Sequence, residues 1–311
     1  MARSKIILKL LIKPKMDSKE LEKWKKAGEI TSQIMKKALS LAKPGVPLLE
    51  IAEKLEAEAE RLKVGWAFPI NLSINEITAH DSPLHDEKRV AEGLLKIDLG
   101  ISVDGYIADM ARTIDFTVKY KEMMKVNEEA LREAIKISKD GVEVREIGKA
   151  IHDKITGKKF SPVRNLSGHQ IDRYVIHAGA NIPNYDNGNT AKLENGKIYA
   201  IEPFATAGEG VVIEGKPSGV YMFKQAKPVR DKKTREILEF IEKTYSTLPF
   251  SERWIIKKFG LRSIISLRTL KQEEIIHQFT QLVEKSRAPT SHFEDTILVE
   301  KDKAIVLTSL D

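Results

Sequence analysis

The 311-residue chain contains no cysteine, which excludes disulfides and thiolate metal sites and leaves histidine and carboxylates as its strong metal ligands. That composition suits a reducing cytoplasm. Histidine is itself scarce, with seven residues. No apolar run approaches the roughly 20 residues a membrane-spanning helix requires, since the most apolar stretch near the start, "KIILKLLIK", is interrupted by Lys9. The same stretch lacks a small-residue cleavage site, so it does not read as a secretory signal. Residues 1–16 are read instead as a leader lying outside the fold.

What is present is the composition of a soluble globular protein with ample core, at 41% hydrophobic and 31% charged residues. Abundant Lys and Glu beside absent Cys also matches heat-adapted proteins. The overall net charge is +7, and residues 223–287 alone hold 15 Lys or Arg against 8 Asp or Glu. That basic stretch is read as a solvated helical face, with contact to a ribosome as the alternative.

Asp17 and Glu20 form a capping box, and Leu21, Trp24, Ala27, Ile34, Ala38 and Leu41 keep helical spacing until Pro44-Gly45. A second helix is expected from about Leu48 to Leu62. "ALSLAKPGVPLLEIAEKL" from Ala38 then recurs, at an offset of 96 residues, as "AIKISKDGVEVREIGKAI" from Ala134. The repeat implies two related halves, each a pair of helices joined by a glycine turn and followed by strands. From Phe223 to about Arg287 the pattern turns helical and basic, with "TREILEFIEKTYSTLPF" and "TLKQEEIIHQFTQLVEKS" as its amphipathic stretches. This segment is expected to be a helical insertion into a catalytic domain formed by 17–222 and 288–311.

The chemistry concentrates at strand ends. In "LKIDLGISVDGYIADMARTID" the residues Leu95, Ile97, Leu99, Ile101 and Val103 alternate with Lys96, Asp98, Gly100 and Ser102, and Asp104-Gly105 supplies a hairpin turn. That turn puts Asp109 opposite Gly100 and makes Asp98 its diagonal neighbour, about 7 to 8 Å away. Facing carboxylates repel each other unless a divalent cation lies between them; the alternative is a solvated face carrying ordinary acids. His169 and His177 can share one site only if the chain folds back near Asp172-Arg173, since eight extended residues span about 26 Å. Glu202, held extended by Pro203 in the apolar run "IYAIEPFA", must meet a cation or a basic side chain. Glu294 repeats the situation in "HFEDTILVE". Two Asp, two Glu and one imidazole suit a pair of adjacent divalent ions bridged by carboxylates and a water.

On "FPINLSINEITAH", "KIDLGISVDGYIAD", "NLSGHQIDRYVIHAG", "IYAIEPFAT" and "FEDTILVEKD", the sequence resembles the type 2 methionine aminopeptidases, the archaeal and eukaryotic class, over about residues 18–308. The resemblance implies an α+β pita-bread fold, with two pseudo-symmetric halves of paired helices over a curved antiparallel sheet and a helical insertion. It implies Asp98, Asp109, His169, Glu202 and Glu294 as ligands of two divalent metal ions, drawn from Mn, Co, Fe or Zn. His80 and His177 are implied in substrate binding and oxyanion stabilisation, and Phe68 and Ile176 in the methionine pocket. The implied substrates are nascent polypeptides and peptides beginning with Met, acted on by a cytoplasmic monomer with no membrane partner.

Two departures stand out. Asp81-Ser82 replaces the aromatic residue and Thr that usually follow the first His, which is expected to alter the rim of the site. Asp295 stands where the family commonly has His, adding a negative charge behind the last ligand. Competing readings are a proline-directed peptidase of the same fold, which generally carries a further N-terminal domain, and an inactive relative that binds RNA or ribosomes through the insertion.

Overall fold

The computed structural model describes residues 16–310, so the leader falls, but for Met16, outside the described residues. Seven helices are described: α1 (Ser18–Leu41), α2 (Leu48–Leu62), α3 (Lys121–Ile137), α4 (Val144–Thr156), α5 (Lys232–Tyr245), α6 (Glu252–Phe259) and α7 (Ser263–Gln272). The strands of the first half are β1 (Gly65–Trp66), β2 (Asn71–Ile74), β3 (Ile77–Ala79), β4 (Leu94–Val103) and β5 (Tyr106–Asp115). Those of the second are β6 (Ser161–Pro162), β7 (Ser167–Ile171), β8 (Asn181–Pro183), β9 (Ile198–Ile201), β10 (Phe204–Thr206), β11 (Val212–Phe223), β12 (Phe250–Ser251), β13 (Ile276–Glu284), β14 (Thr290–His292), β15 (Glu294–Val299) and β16 (Ala304–Val306).

The repeat is visible in the helix boundaries. Leu41 and Ile137 end the first helix of each pair and Leu48 and Val144 begin the second, each 96 residues apart. Between them Gly45 and Gly141 take left-handed conformations, φ 83° and 81°, which glycine adopts without steric cost. Their N–H groups donate to Ala91 and Leu193 carbonyls, both at 2.9 Å, so each turn is tied to the same place in its half. The Asp17 capping box opens α1 as its residues dictate.

A nine-stranded antiparallel sheet runs β1-β4-β5-β15-β9-β7-β8, with β2 also beside β4 and β16 beside β15. Helices α1 and α2 bury Ile34, Met35, Ile51 and Leu55 against the β4 side, in one core with Ile97 and Leu99. Helices α3 and α4 bury Leu131, Ile147 and Ile151 with Tyr199 and Ile297. Two helix pairs thus cover one face, and the strands between them carry the carboxylates.

Residues 269–286, expected as an amphipathic helix, are helical only to Gln272 and return as strand β13. Glu273 and Glu274 place negative charge at the helix's already negative end, and Glu274 takes φ 55°, which stops it. Beyond that stop, β-branched and aromatic residues (Ile275, Ile276, Phe279, Thr280, Val283) favour extension. β13 pairs with β11 on one side and β3 on the other, in a sheet ordered β12-β11-β13-β3. The helical module therefore sits over its own core of Ile237, Ile241, Phe250, Leu267 and Leu270, while its returning strand is stitched to the first half. The Arg253 guanidinium, buried and bonded to both Glu56 oxygens at 2.9 and 2.8 Å, ties the module to α2.

Candidate metal centre

The β4–β5 hairpin has the register its turn dictates: Gly100 lies opposite Asp109, and Asp98 opposite Ala111. Ala111 also pairs with Glu294 on β15, so Asp98 and Glu294 flank one alanine across three strands. On the other side of β15, Ala200 of β9 lies between Thr296 and His169. Small residues between the ligand-bearing positions leave the space into which the long side chains converge. Gly100 does the same for the cavity wall, since a Cβ there would lie 2.6 Å from Phe68 Cε1.

The cavity over these strands has a volume of about 260 Å³, and Asp98, Asp109, His169, Glu202 and Glu294 all line it, as do His80, His177, Phe68 and Ile176. His169 Nε2 lies 3.8 Å from Asp109 Oδ2 and 3.7 Å from Glu202 Oε1. After β7 the chain folds back through the Asp172–Val175 turn, with Ala178 N–H donating to the Gln170 carbonyl at 2.7 Å. That reversal stands the rings of His169 and His177 edge to face, 4.3 Å apart.

The alternating polar positions of β4 do not face water. Lys96 is fully buried and donates to the Asn75 carbonyl at 2.6 Å, and Asp98 faces the cavity. Among the described residues no Lys or Arg side chain makes an ion pair with Asp98, Asp109, Glu202 or Glu294. The only partners within salt-bridge reach are imidazoles. Burial accordingly pushes the Asp98 carboxyl up to about 7, although Asn71 Nδ2 donates to it at 3.3 Å. Burial, then the neighbouring acids, raise Asp109, Glu202 and Glu294 well above the carboxylate range. Burial holds His169 down to about 3, so its imidazole is neutral and able to ligate. Asp98 Oδ1, Asp109 Oδ1 and Glu294 Oε1 are buried without hydrogen-bond partners. Buried acids with orphaned oxygens and neutral imidazoles are what a divalent cation would satisfy, so the donor set fits one.

His80 adopts φ 60°, rare for a residue with a side chain, and bonds the Thr280 backbone; burial holds it down to about 4. Phe204, Phe279, Leu282 and Val220 add apolar wall to Phe68 and Ile176.

The two departures both resolve into ion pairs outside the cavity lining. Asp295 adds to the negative charge that raises Glu294, but it is itself paired: Arg112 Nη2 meets its two oxygens at 2.9 and 3.1 Å, and Thr308 Oγ1 donates at 2.9 Å. The same guanidinium donates to the Glu294 carbonyl at 2.7 Å, so the pair braces the ligand's backbone. Asp81 turns inward to Arg89, at 2.6 and 3.0 Å, and to Gln281 at 2.8 Å.

His292 was not among the residues expected in this site. It ends β14, is 1% exposed and stacks on Phe204 at 3.9 Å between centroids. The missed signal is period two in extended chain: His292 and Glu294, like Glu202 and Phe204, are two positions apart and so project to one side.

The family model of Metallopeptidase family M24 matches residues 22–301. A methionine aminopeptidase from Pyrococcus abyssi is 44% identical over 293 residues, 93% of this chain and 99% of that one. Among solved structures, methionine aminopeptidase from Thermotoga maritima superposes with a TM-score of 0.69 at 22% identity, covering 96% of this chain and 100% of that chain. Prolidase from Pyrococcus furiosus superposes at 0.62 and 19% identity, covering 99% of this chain but 68% of that one. These neighbours share the pita-bread fold.

Proposed function

The chain belongs to metallopeptidase family M24, and from that premise we propose that it is a methionine aminopeptidase, removing N-terminal methionine by metal-dependent hydrolysis of the first peptide bond. One observation carries the reading: four carboxylates and His169, drawn from distant parts of the chain, line one apolar-walled cavity with no Lys or Arg partner among the described residues. Asp98, Asp109, His169, Glu202 and Glu294 would hold the cations, and so many donors suit two of them, from Mn, Co, Fe or Zn. Bound divalent cations supply positive charge that acidifies water and polarises a carbonyl.

The remaining work falls to the chain. Glu202 lies at the less enclosed edge of the cluster, where it accepts the attacking water's proton and passes it to the leaving amine. His177 stands at the exposed rim and donates to the substrate carbonyl oxygen as charge develops there. His80, neutral at pH 7, lines the same cavity and orients the peptide. Phe68 and Ile176 take up the methionine side chain. A free α-amine is a nitrogen donor that the loaded centre could accept, which would limit cleavage to the chain terminus. Substrates are nascent proteins and peptides beginning with Met, so the reaction belongs in the cytoplasm. The enzyme acts as a monomer, and the basic residues of 223–287 offer a surface for ribosome contact.

The test is turnover of Met-Gly-Met against X-Pro peptides by chelated protein before and after metal is restored. Metal-restored cleavage of Met-Gly-Met is expected. Exclusive X-Pro cleavage would assign the chain to the proline-directed peptidases instead.

A further inference from the structure

His292, like His169, abuts the acidic cluster, the two rings meeting different oxygens of Glu202. Its Nε2 is 3.4 Å from Glu202 Oε2 and 3.3 Å from Glu294 Oε2, yet neither of its ring nitrogens makes a hydrogen bond. Leaving a buried imidazole unsatisfied is costly, and the Phe204 stack fixes its ring plane so that it cannot turn away in search of a partner. Apart from Asp98, the donor atoms form two groups whose members lie within 4.8 Å of one another: Asp109, His169 and Glu294, and Glu202, His292 and Glu294. Each group contains one imidazole, and Glu294 belongs to both.

We propose that His292 Nε2 is a sixth protein ligand of the metal centre, which gives the centre an imidazole in each half of its donor set. The inference rests on the metal-dependent reading above and deepens it. A second nitrogen donor makes the site more favourable to Zn, Co and Fe relative to Mn, because imidazole suits those ions better than an all-oxygen set does. A mere hydrogen bond from His292 to Glu202 would have no such effect on metal choice.

X-ray absorption of the Zn-loaded full chain reads coordinated imidazoles directly. Two per protein are expected in the wild type and one in His292→Phe, which keeps a ring against Phe204 but removes the nitrogens. Calorimetric titration should show the weakest-binding Zn equivalent of His292→Phe loosened by at least about tenfold, with a smaller change for Mn. His292→Gln, which keeps a hydrogen-bonding group, should also show one imidazole. A single imidazole in the Zn-loaded wild type, or an unchanged count and Zn affinity in both variants, overturns the proposal, and the wild-type count decides even if His292→Phe does not fold. Loss of one imidazole in His169→Ala beside unchanged His292 variants would sink this inference while leaving the metal reading intact. A wild type that takes up no Zn, Co or Mn would sink both.

Discussion

Metal binding should expel protons from this protein, and the amount follows from the buried carboxyls. With its pKa pushed up to about 7, Asp98 holds about 0.9 proton at pH 6.0 and about 0.1 at pH 8.0. Asp109, Glu202 and Glu294 are also raised well above the carboxylate range and add to that store. The imidazoles contribute nothing, since His169 is held down to about 3 and is already neutral. A cation needs the carboxylates ionised, so the sign is fixed: binding releases protons, and affinity climbs as pH rises. Each proton released makes the apparent affinity about tenfold tighter per pH unit, or about 1.4 kcal/mol. Calorimetric titration with Co or Zn, run at pH 6.0 and 7.5 in buffers of different ionisation heat, counts the protons. Release of about one proton or more at pH 6.0, falling as pH rises, is expected. Solvated acids with ordinary pKa values would release almost none at pH 6.0, and that result would refute the electrostatic account of the site.

Glu202→Gln keeps the shape of the side chain but removes its capacity to carry a proton; peptide turnover at saturating metal should fall by about 10² to 10⁴-fold. Arg112→Met leaves Asp295 buried without its charge partner and should cost about 3 to 5 kcal/mol in urea unfolding, with Asp295→Asn restoring part of the loss when combined. A Cβ at Gly100 would press on Phe68, so Gly100→Ala should raise KM for methionyl peptides more than it lowers kcat, and an unchanged KM would place Phe68 outside the pocket.

Those residues also mark what the sequence could reveal. The β4–β5 register was readable because a two-residue turn and period-two alternation leave one solution, and the helix pairs because a glycine turn recurs at a fixed offset. The convergence of Asp98, Asp109, His169, Glu202 and Glu294 was inferred through resemblance, since nothing local brings strands so distant in the chain together. The true partners of Asp81 and Asp295 were not legible: each meets an arginine across a tertiary contact, and a lone acid in sequence does not say where it points. β13 was misread because residues 269–286 mix helix-forming Lys, Gln and Glu with extended-favouring Ile, Phe and Val. The choice was made by pairing to β11 and β3, which no local propensity encodes.

The architecture explains how so much negative charge is tolerated inside a core. Asp98, Asp109 and Glu294 lie on β4, β5 and β15 and Glu202 directly follows β9, so each is held by a separate strand of one sheet that two helix pairs brace. Repulsion among them cannot be relieved by moving one residue, because Thr296 Oγ1 both accepts from the Asp109 N–H at 2.7 Å and donates to its carbonyl at 2.8 Å, locking β5 to β15 at the ligand itself. Arg112 likewise clamps the backbone at Glu294 through the ligand's own carbonyl. With the backbone unable to yield, protonation and cation binding are the two ways left to lower the energy, and at neutral pH the cation is the stronger. The rigid sheet thus turns an electrostatic liability into affinity for metal.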